Sequence, residues 1–298
     1  MQTDSLRPVA LTEVDLYPAL TEKVIAYFLL TLLLAAMLSL KLHAQPAETL
    51  PGDWQLAWSD EFSQPDGSSP DPAKWGFETG GNGWGNNELE FYTDRTNNVR
   101  IEDGKLVIEV VKENYQNKDY TSGRLMTQGK WSWTYGLVEA RIKIPRGRGI
   151  WPAFWMLGTS IASNSWPNCG EIDIMENIGR EPGTIHGTVH GPGYSGAHGI
   201  GKPVSLPDNA VVADDFHVFA MDCEPGSVTW FMDGQKYFSI TPASLPPNTR
   251  WVFDKPKYLL LNLAVGGMWP GYPDETSTYP QRLVVDYVRV YQKSLLAY

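Results

Sequence analysis

The 298-residue chain, 42% hydrophobic and 19% charged, can bury a sizeable core and is too apolar for global disorder. Its formal net charge of −10 argues against nucleic acid or an anionic membrane surface as partner, since both need clustered Lys and Arg, and favours a neutral one. Two cysteines, Cys169 and Cys223, make no disulfide framework, and one bridge or two buried free thiols both stay open.

In chain order the first feature is an uninterrupted apolar run over residues 24–40, between Lys23 and Lys41. It falls just short of a comfortable membrane span and is a little long for the core of a signal peptide. Ala44 offers a small residue at a cleavage position. Residues 1–44 therefore read as an export signal cut near Ala44, with a retained membrane anchor as the alternative. Residues 45–298 form the working domain. It is expected to be a monomer, secreted or periplasmic, or else anchored outside the cytosol.

From Trp54 onward short alternating segments are separated by Gly, Pro, Asn and Asp clusters. In GLVEARIKIP, Val138, Ala140, Ile142 and Ile144 share one face while Glu139, Arg141 and Lys143 share the other. KLVIEVVKE, TIHGTVHG, FHVFAMDC, YLLLNLAVGG and RLVVDYVRVYQ follow the same pattern. Asp233-Gly234 between two apolar runs predicts a hairpin. No long helix-period segment follows residue 44, so the fold class is all-β, a two-sheet sandwich.

Aromatic residues make up 12% of the chain, twelve of them Trp and fourteen Tyr. Most such rings are core or belt residues. Trp84 in GGNGWGNNE and Trp269 in GGMWPG stand instead in Gly-rich stretches suited to exposed platforms, and a flat apolar ring suits the C–H face of a pyranose.

GEIDIMENIG (residues 170–179) places three carboxyls in a segment otherwise made of Ile and Met. Strict alternation puts Glu171 and Asp173 on one face and turns Glu176 into the core, where an uncompensated ionised Glu is too costly. One β-bulge near Ile174-Met175 restores Glu176 to the polar face and buries Met175. Four strand steps then separate Glu171 from Glu176, about 13 Å between Cα atoms. Side chains leaning inward close most of that gap, toward the roughly 5–5.5 Å between carboxyls that glycoside cleavage with retention requires. Crowding raises at least one pKa and keeps an acid protonated near neutral pH. A solvated strand face or a Ca²⁺ or Mg²⁺ site would show the same acids. Nearby, GIWPAFWMLG carries Trp151 and Trp155, and His186 and His190 share a face of TIHGTVHG, where one of them can orient an acid.

EIDIMEN, preceded by GIWPAFWMLG and followed by HGTVHG, resembles glycoside hydrolase family 16, and within it the bacterial laminarinases. GNNELEFYT (85–93), residues 122–145 and NLAVGGMWPG (262–271) extend the likeness over nearly the whole mature chain. The resemblance implies a curved jelly roll whose concave face is the cleft, acting on β-glucan. By position Glu171 matches the nucleophile, Asp173 the residue assisting it and Glu176 the general acid/base; Met175 matches the bulged version of the motif. Trp151, Trp155 and His190 match cleft positions, and Asn86, Arg124, Trp131 and Trp269 match sugar contacts. No cofactor is implied for catalysis. A structural Ca²⁺ is implied on the convex side, held by main-chain oxygens at Glu61 and Gly104 and by Asp286, with Asp286 expected to point inward because it shares parity with Val288 and Val290. Cys223 departs from the family pattern, which commonly has an aromatic there. A glucan-binding protein, a transglycosylase and an enzyme for agarose or carrageenan are the rival readings.

Overall fold

Alternating apolar and polar side chains carry the chain into strands from Trp54 to Lys293, and the computed structural model describes residues 54–275 and 277–293. The strands begin with β1 (Trp54–Asp60), β2 (Gly76–Phe77), β3 (Glu90–Tyr92), β4 (Val99–Glu102), β5 (Lys105–Tyr115), β6 (Lys118–Ser122), β7 (Arg124–Met126), β8 (Gly136–Lys143) and β9 (Ile150–Gly158). They continue with β10 (Glu171–Glu176), β11 (Thr184–His190), β12 (Ile200–Ser205), β13 (His217–Glu224), β14 (Ser227–Met232), β15 (Gln235–Ile240), β16 (Lys257–Val265) and β17 (Gln281–Lys293). Helix among the described residues is limited to 3₁₀ turns. The apolar run 24–40 and Ala44 lie outside the described residues.

The strands form two sheets. One runs β12-β11-β10-β9-β16-β7-β2; the other runs β15-β14-β13-β8-β17-β5-β6-β3, with β1 on β17 and β4 on β5. Between them lies one apolar core. Phe154 and Met156 of β9, Ile172 of β10, and Leu259, Leu261 and Leu263 of β16 meet Val138, Ala140 and Ile142 of β8, Phe219 and Met221 of β13, and Val288 and Val290 of β17. Truncating a ring as enclosed as Phe154 costs about 3–5 kcal/mol. The expected alternation of β8 holds, with Val138, Ala140, Ile142 and Ile144 all buried. Asp233 and Gly234 adopt φ of 50° and 75° and join β14 to β15, as the hairpin reading requires. Both cysteines are buried and free, and Cys223 takes its place in the core.

One expectation about β17 fails. Its register against β8 slips between Val285 and Tyr287, and Val285 and Val288 are both buried. That bulge reverses the parity counted from Val288. Asp286 therefore points outward, 30% exposed, and accepts a hydrogen bond from Arg141 Nη1 at 2.8 Å.

Candidate active site

β10 bulges where the three acids demand it. Asp173 lies opposite Trp155 of β9 and Thr188 of β11, and Glu176 lies opposite Ala153 and His186. Ile174 and Met175 together thus face a single β11 residue, Gly187, and both are buried, at 1% and 0% exposure. Trp230, reaching from the other sheet, donates from Nε1 to the main-chain carbonyl of Asp173 at 2.8 Å. A Cβ on Gly187 would stand 2.7 Å from that indole, so glycine is what lets it approach. The slip turns Ile172, Ile174 and Met175 to the core and Glu171, Asp173 and Glu176 to the outer face of the sheet.

Each carboxyl in the row has a partner. Trp166 Nε1 donates to Glu171 Oε2 at 3.0 Å, and Trp151 Nε1 donates to Glu176 Oε1 at 3.0 Å. His190 Nε2 stands 3.2 Å from Asp173 Oδ2 and 3.6 Å from Glu171 Oε1. A ring nitrogen at these distances from two acid groups can act on both through its charge when protonated. A Cβ on Gly199 would lie 2.4 Å from the His190 ring, so this glycine lets the chain cover the imidazole. Glu171, Asp173 and His190 are close enough together to hold a metal ion as well, which is the alternative chemistry of such a cluster.

Although it faces away from the core, the row is dry. Asp173 is 4% exposed and Glu176 8%, with Trp151, Trp166 and His190 set against the row. Burial pushes Glu171 up to about 8, and the charge of Asp173 adds to this, while His190 and the Trp166 bond pull the other way. Burial also lifts Asp173 to about 8. Glu176 rises well above the usual carboxylate range, by burial first and then by the charge of Asp173. Three like groups this close titrate as one set and carry fewer than three charges near neutral pH. Because the Trp166 bond favours ionised Glu171, Trp166→Phe is expected to move the acidic limb of the kcat/KM profile upward. It should lower the rate about twofold to fivefold at pH 6. A limb left in place would show that the bond does not act on Glu171.

Further sequence-expected residues gather around the row. Trp151 and Trp155, four apart on β9, share its face. Trp155 donates to Asn262 Oδ1 at 2.8 Å. The Arg124 guanidinium lies between the rings of Trp84 and Trp155, at 4.7 and 4.9 Å, and pairs with Glu78. Trp269 meets Trp151 and His186 edge-on at 5.5 and 5.0 Å, and His186 is held by Glu181 at 3.0 Å. Asn86 donates to Glu88 Oε1 at 2.9 Å. Trp131 differs: 45% exposed, it leans on Trp58 of β1 at 6.4 Å. No ring contact among the described residues joins it to the row. Trp166 is the residue that sequence reading missed. A Trp in the Ser/Asn/Pro loop SNSWPNC, five positions before Glu171, was the available signal.

The remaining expected positions lie elsewhere. Both carboxylate oxygens of Glu61 are taken by Arg289, at 2.9 and 2.8 Å. Gly104 sits in the turn between β4 and β5, with φ of 66°.

A two-sheet sandwich bearing a dry carboxyl row walled by tryptophans is the construction of a glycoside hydrolase. Residues 85–289 match the model of glycosyl hydrolases family 16. A beta-glucanase of Rhodothermus marinus is 44% identical over 255 residues, 80% of this chain and 85% of that protein. The endo-beta-1,3-glucanase of Pyrococcus furiosus is 50% identical, with a TM-score of 0.77 over 81% of this chain and 95% of its own. The laminarinase catalytic domain of Thermotoga maritima MSB8 is 48% identical, with a TM-score of 0.77 over 81% and 99%. The chain belongs to glycosyl hydrolases family 16.

Proposed function

We propose that this protein is a retaining endo-glycosidase that hydrolyses β-1,3-glucosidic bonds of laminarin-type glucans by double displacement. One observation carries the chemistry: three carboxyls on one face, with separate indole donors on the outer two. Glu176, held in its neutral form by burial, protonates the leaving glycosidic oxygen as Glu171 attacks the anomeric carbon. The C–O bond breaks and a glycosyl ester of Glu171 forms. Glu176, now ionised, takes a proton from water; the water oxygen attacks the anomeric carbon and frees Glu171. Asp173 and His190 hold Glu171 in place, and as the ester forms, the negative charge that Glu171 gives up passes to Glu176, which has lost its proton to the leaving oxygen.

A glucan-binding protein has no use for an acid kept neutral in a dry row, and this favours the hydrolase. The substrate assignment is supported by the relatives that cut β-1,3-glucan at 48–50% identity. The chemistry asks for no metal. Asp286, the carboxylate expected to serve a structural Ca²⁺, accepts from Arg141 through Oδ2. Export follows from the apolar run at 24–40, and the domain works as a monomer outside the cytosol. Incubating the exported domain with laminarin, lichenan, agarose and carrageenan is expected to release reducing ends fastest from laminarin. Release from agarose or carrageenan alone would overturn the substrate.

A further inference from the structure

Beside the cleft lies a second pair of buried carboxyls that the mechanism does not use. Glu88 is 4% exposed, and Glu90, at the start of β3, is fully buried. No ion pair among the described residues involves either: Arg124 pairs with Glu78, and Lys118 Nζ reaches the main-chain carbonyl of Glu88 at 3.3 Å. Two buried charges side by side are costly in such a place, and Arg124, the nearby cation, is already paired with Glu78, so a proton is favoured on one carboxyl.

The hydrogen bonds show which. Both oxygens of Glu88 accept, Oε1 from Asn86 and Oε2 from the Tyr92 hydroxyl at 3.0 Å. Glu90 Oε2 accepts the main-chain N–H of Val265 at 2.6 Å, and Glu90 Oε1 is buried with no other partner. The free oxygen Glu90 Oε1 is therefore the one with room for a proton, while both oxygens of Glu88 already serve as acceptors. Burial lifts Glu90 well above the usual carboxylate range, and the charge of Glu88 adds to it. Titratable groups around the pair among the described residues include Tyr92 on its own strand, Arg124 of β7 with its partner Glu78, and Lys118 of β6.

From Glu88 a single line of donors runs into the cleft. Trp155 Nε1 donates to Asn262, Asn262 Nδ2 to the Tyr92 hydroxyl at 3.2 Å, and that hydroxyl to Glu88. Every donor points toward the one carboxylate, so each bond polarises the next. Glu90 meanwhile grips Val265 at the root of the loop that carries Trp269. That loop is tied to the Trp84 loop by Met268 N–H to Asn86 O at 2.9 Å and Leu89 N–H to Val265 O at 2.8 Å. The two loops fit closely: a Cβ on Gly266 would meet Leu89 at 2.7 Å.

We propose that Glu88 and Glu90 are positioning residues, a buried carboxyl pair that sets Trp84, Trp155 and Trp269 in place for the sugar chain. This rests on the glucanase reading above. It extends that reading by assigning substrate grip to two residues that touch no substrate.

The test joins steady-state kinetics on laminarin to calorimetric binding of a laminarin oligosaccharide in the Glu171→Ser background, where nothing is cut. Glu88→Gln places an amide donor where Asn86 or Tyr92 now donates. It is expected to raise KM about tenfold, weaken binding to match, and change kcat less than about threefold. Glu90→Gln keeps a donor and an acceptor in place and is expected to hold KM within about twofold. A second readout is thermal. A raised folded-state pKa means that wild-type stability falls as pH rises from 4.5 through that pKa, whereas Glu90→Gln escapes this loss. The Tm difference in favour of Glu90→Gln should therefore grow with pH. If Glu88→Gln does not fold, Tyr92→Phe carries the same KM expectation at about threefold. Unchanged binding in Glu88→Gln, a fall in kcat alone, or equal weakening by Glu90→Gln would overturn the proposal. A wild-type chain that leaves laminarin uncut would instead sink the glucanase reading.

Discussion

Glu171→Ser is expected to lower laminarin hydrolysis by at least about 10⁴-fold while leaving oligosaccharide binding measurable. The serine hydroxyl is too short to reach the anomeric carbon, so no glycosyl ester forms. The groups that grip sugar, including Trp151 and Trp155, are untouched. Removing the acid also leaves room on its side of the substrate. Azide should enter that space and attack an activated β-glucoside from below, giving the inverted α-glycosyl azide. The fold should gain from the change. Glu171 holds its proton up to about 8 when folded, against 4.5 ordinarily, so its contribution to stability declines as pH rises through that window. The serine variant is thus expected to melt higher than wild type by a margin that widens toward pH 8. Wild-type-like turnover, or an azide product of retained configuration, would remove Glu171 from the nucleophile's role.

Much of this was legible in the sequence, for a reason that also explains one failure. The β10 bulge could be inferred because strict alternation would strand an ionised Glu176 in the core. Applied to β17, the same rule would have turned Asp286 outward. Counting parity from Val288 and Val290 alone turned it inward, and the slip between Val285 and Tyr287 shows which argument holds. Penalties on buried charge are better guides to register than parity by itself. Glu88, Glu90 and Tyr92 share one parity in NELEFY, so acids on an inward face were visible there too. Their meaning was not, because it depends on Asn262 and Val265 of β16, far along the chain. Trp166 and Trp131 show the other limit. Both stand in polar loops, yet one donates to Glu171 and the other leans on Trp58. Where a loop tip lands is set by tertiary packing that local pattern does not encode.

Glu176→Gln should separate the two halves of the reaction. On laminarin, whose leaving group is a poor one that must be protonated, activity is expected to fall about 10²–10⁴-fold. An aryl β-glucoside with an acidic phenol needs no proton to depart, so Glu171 should still be glycosylated at a rate near that of wild type. Release would then be slow, and a burst of phenol should precede a low steady state. Azide, which needs no base, should restore turnover and give the β-glycosyl azide, opposite in configuration to the product from Glu171→Ser. Geometry should survive the change, because the carboxamide oxygen can still accept from Trp151 at the place where Glu176 Oε1 does now. The pH profile supplies the sign. Glu176 must be protonated to act, so the wild-type rate falls as pH rises through its raised pKa, and that alkaline limb should vanish in the variant while the acidic limb governed by Glu171 stays. An unchanged alkaline limb would place the acid elsewhere in the row, with Asp173, lifted to about 8 by burial, as the group left to hold it.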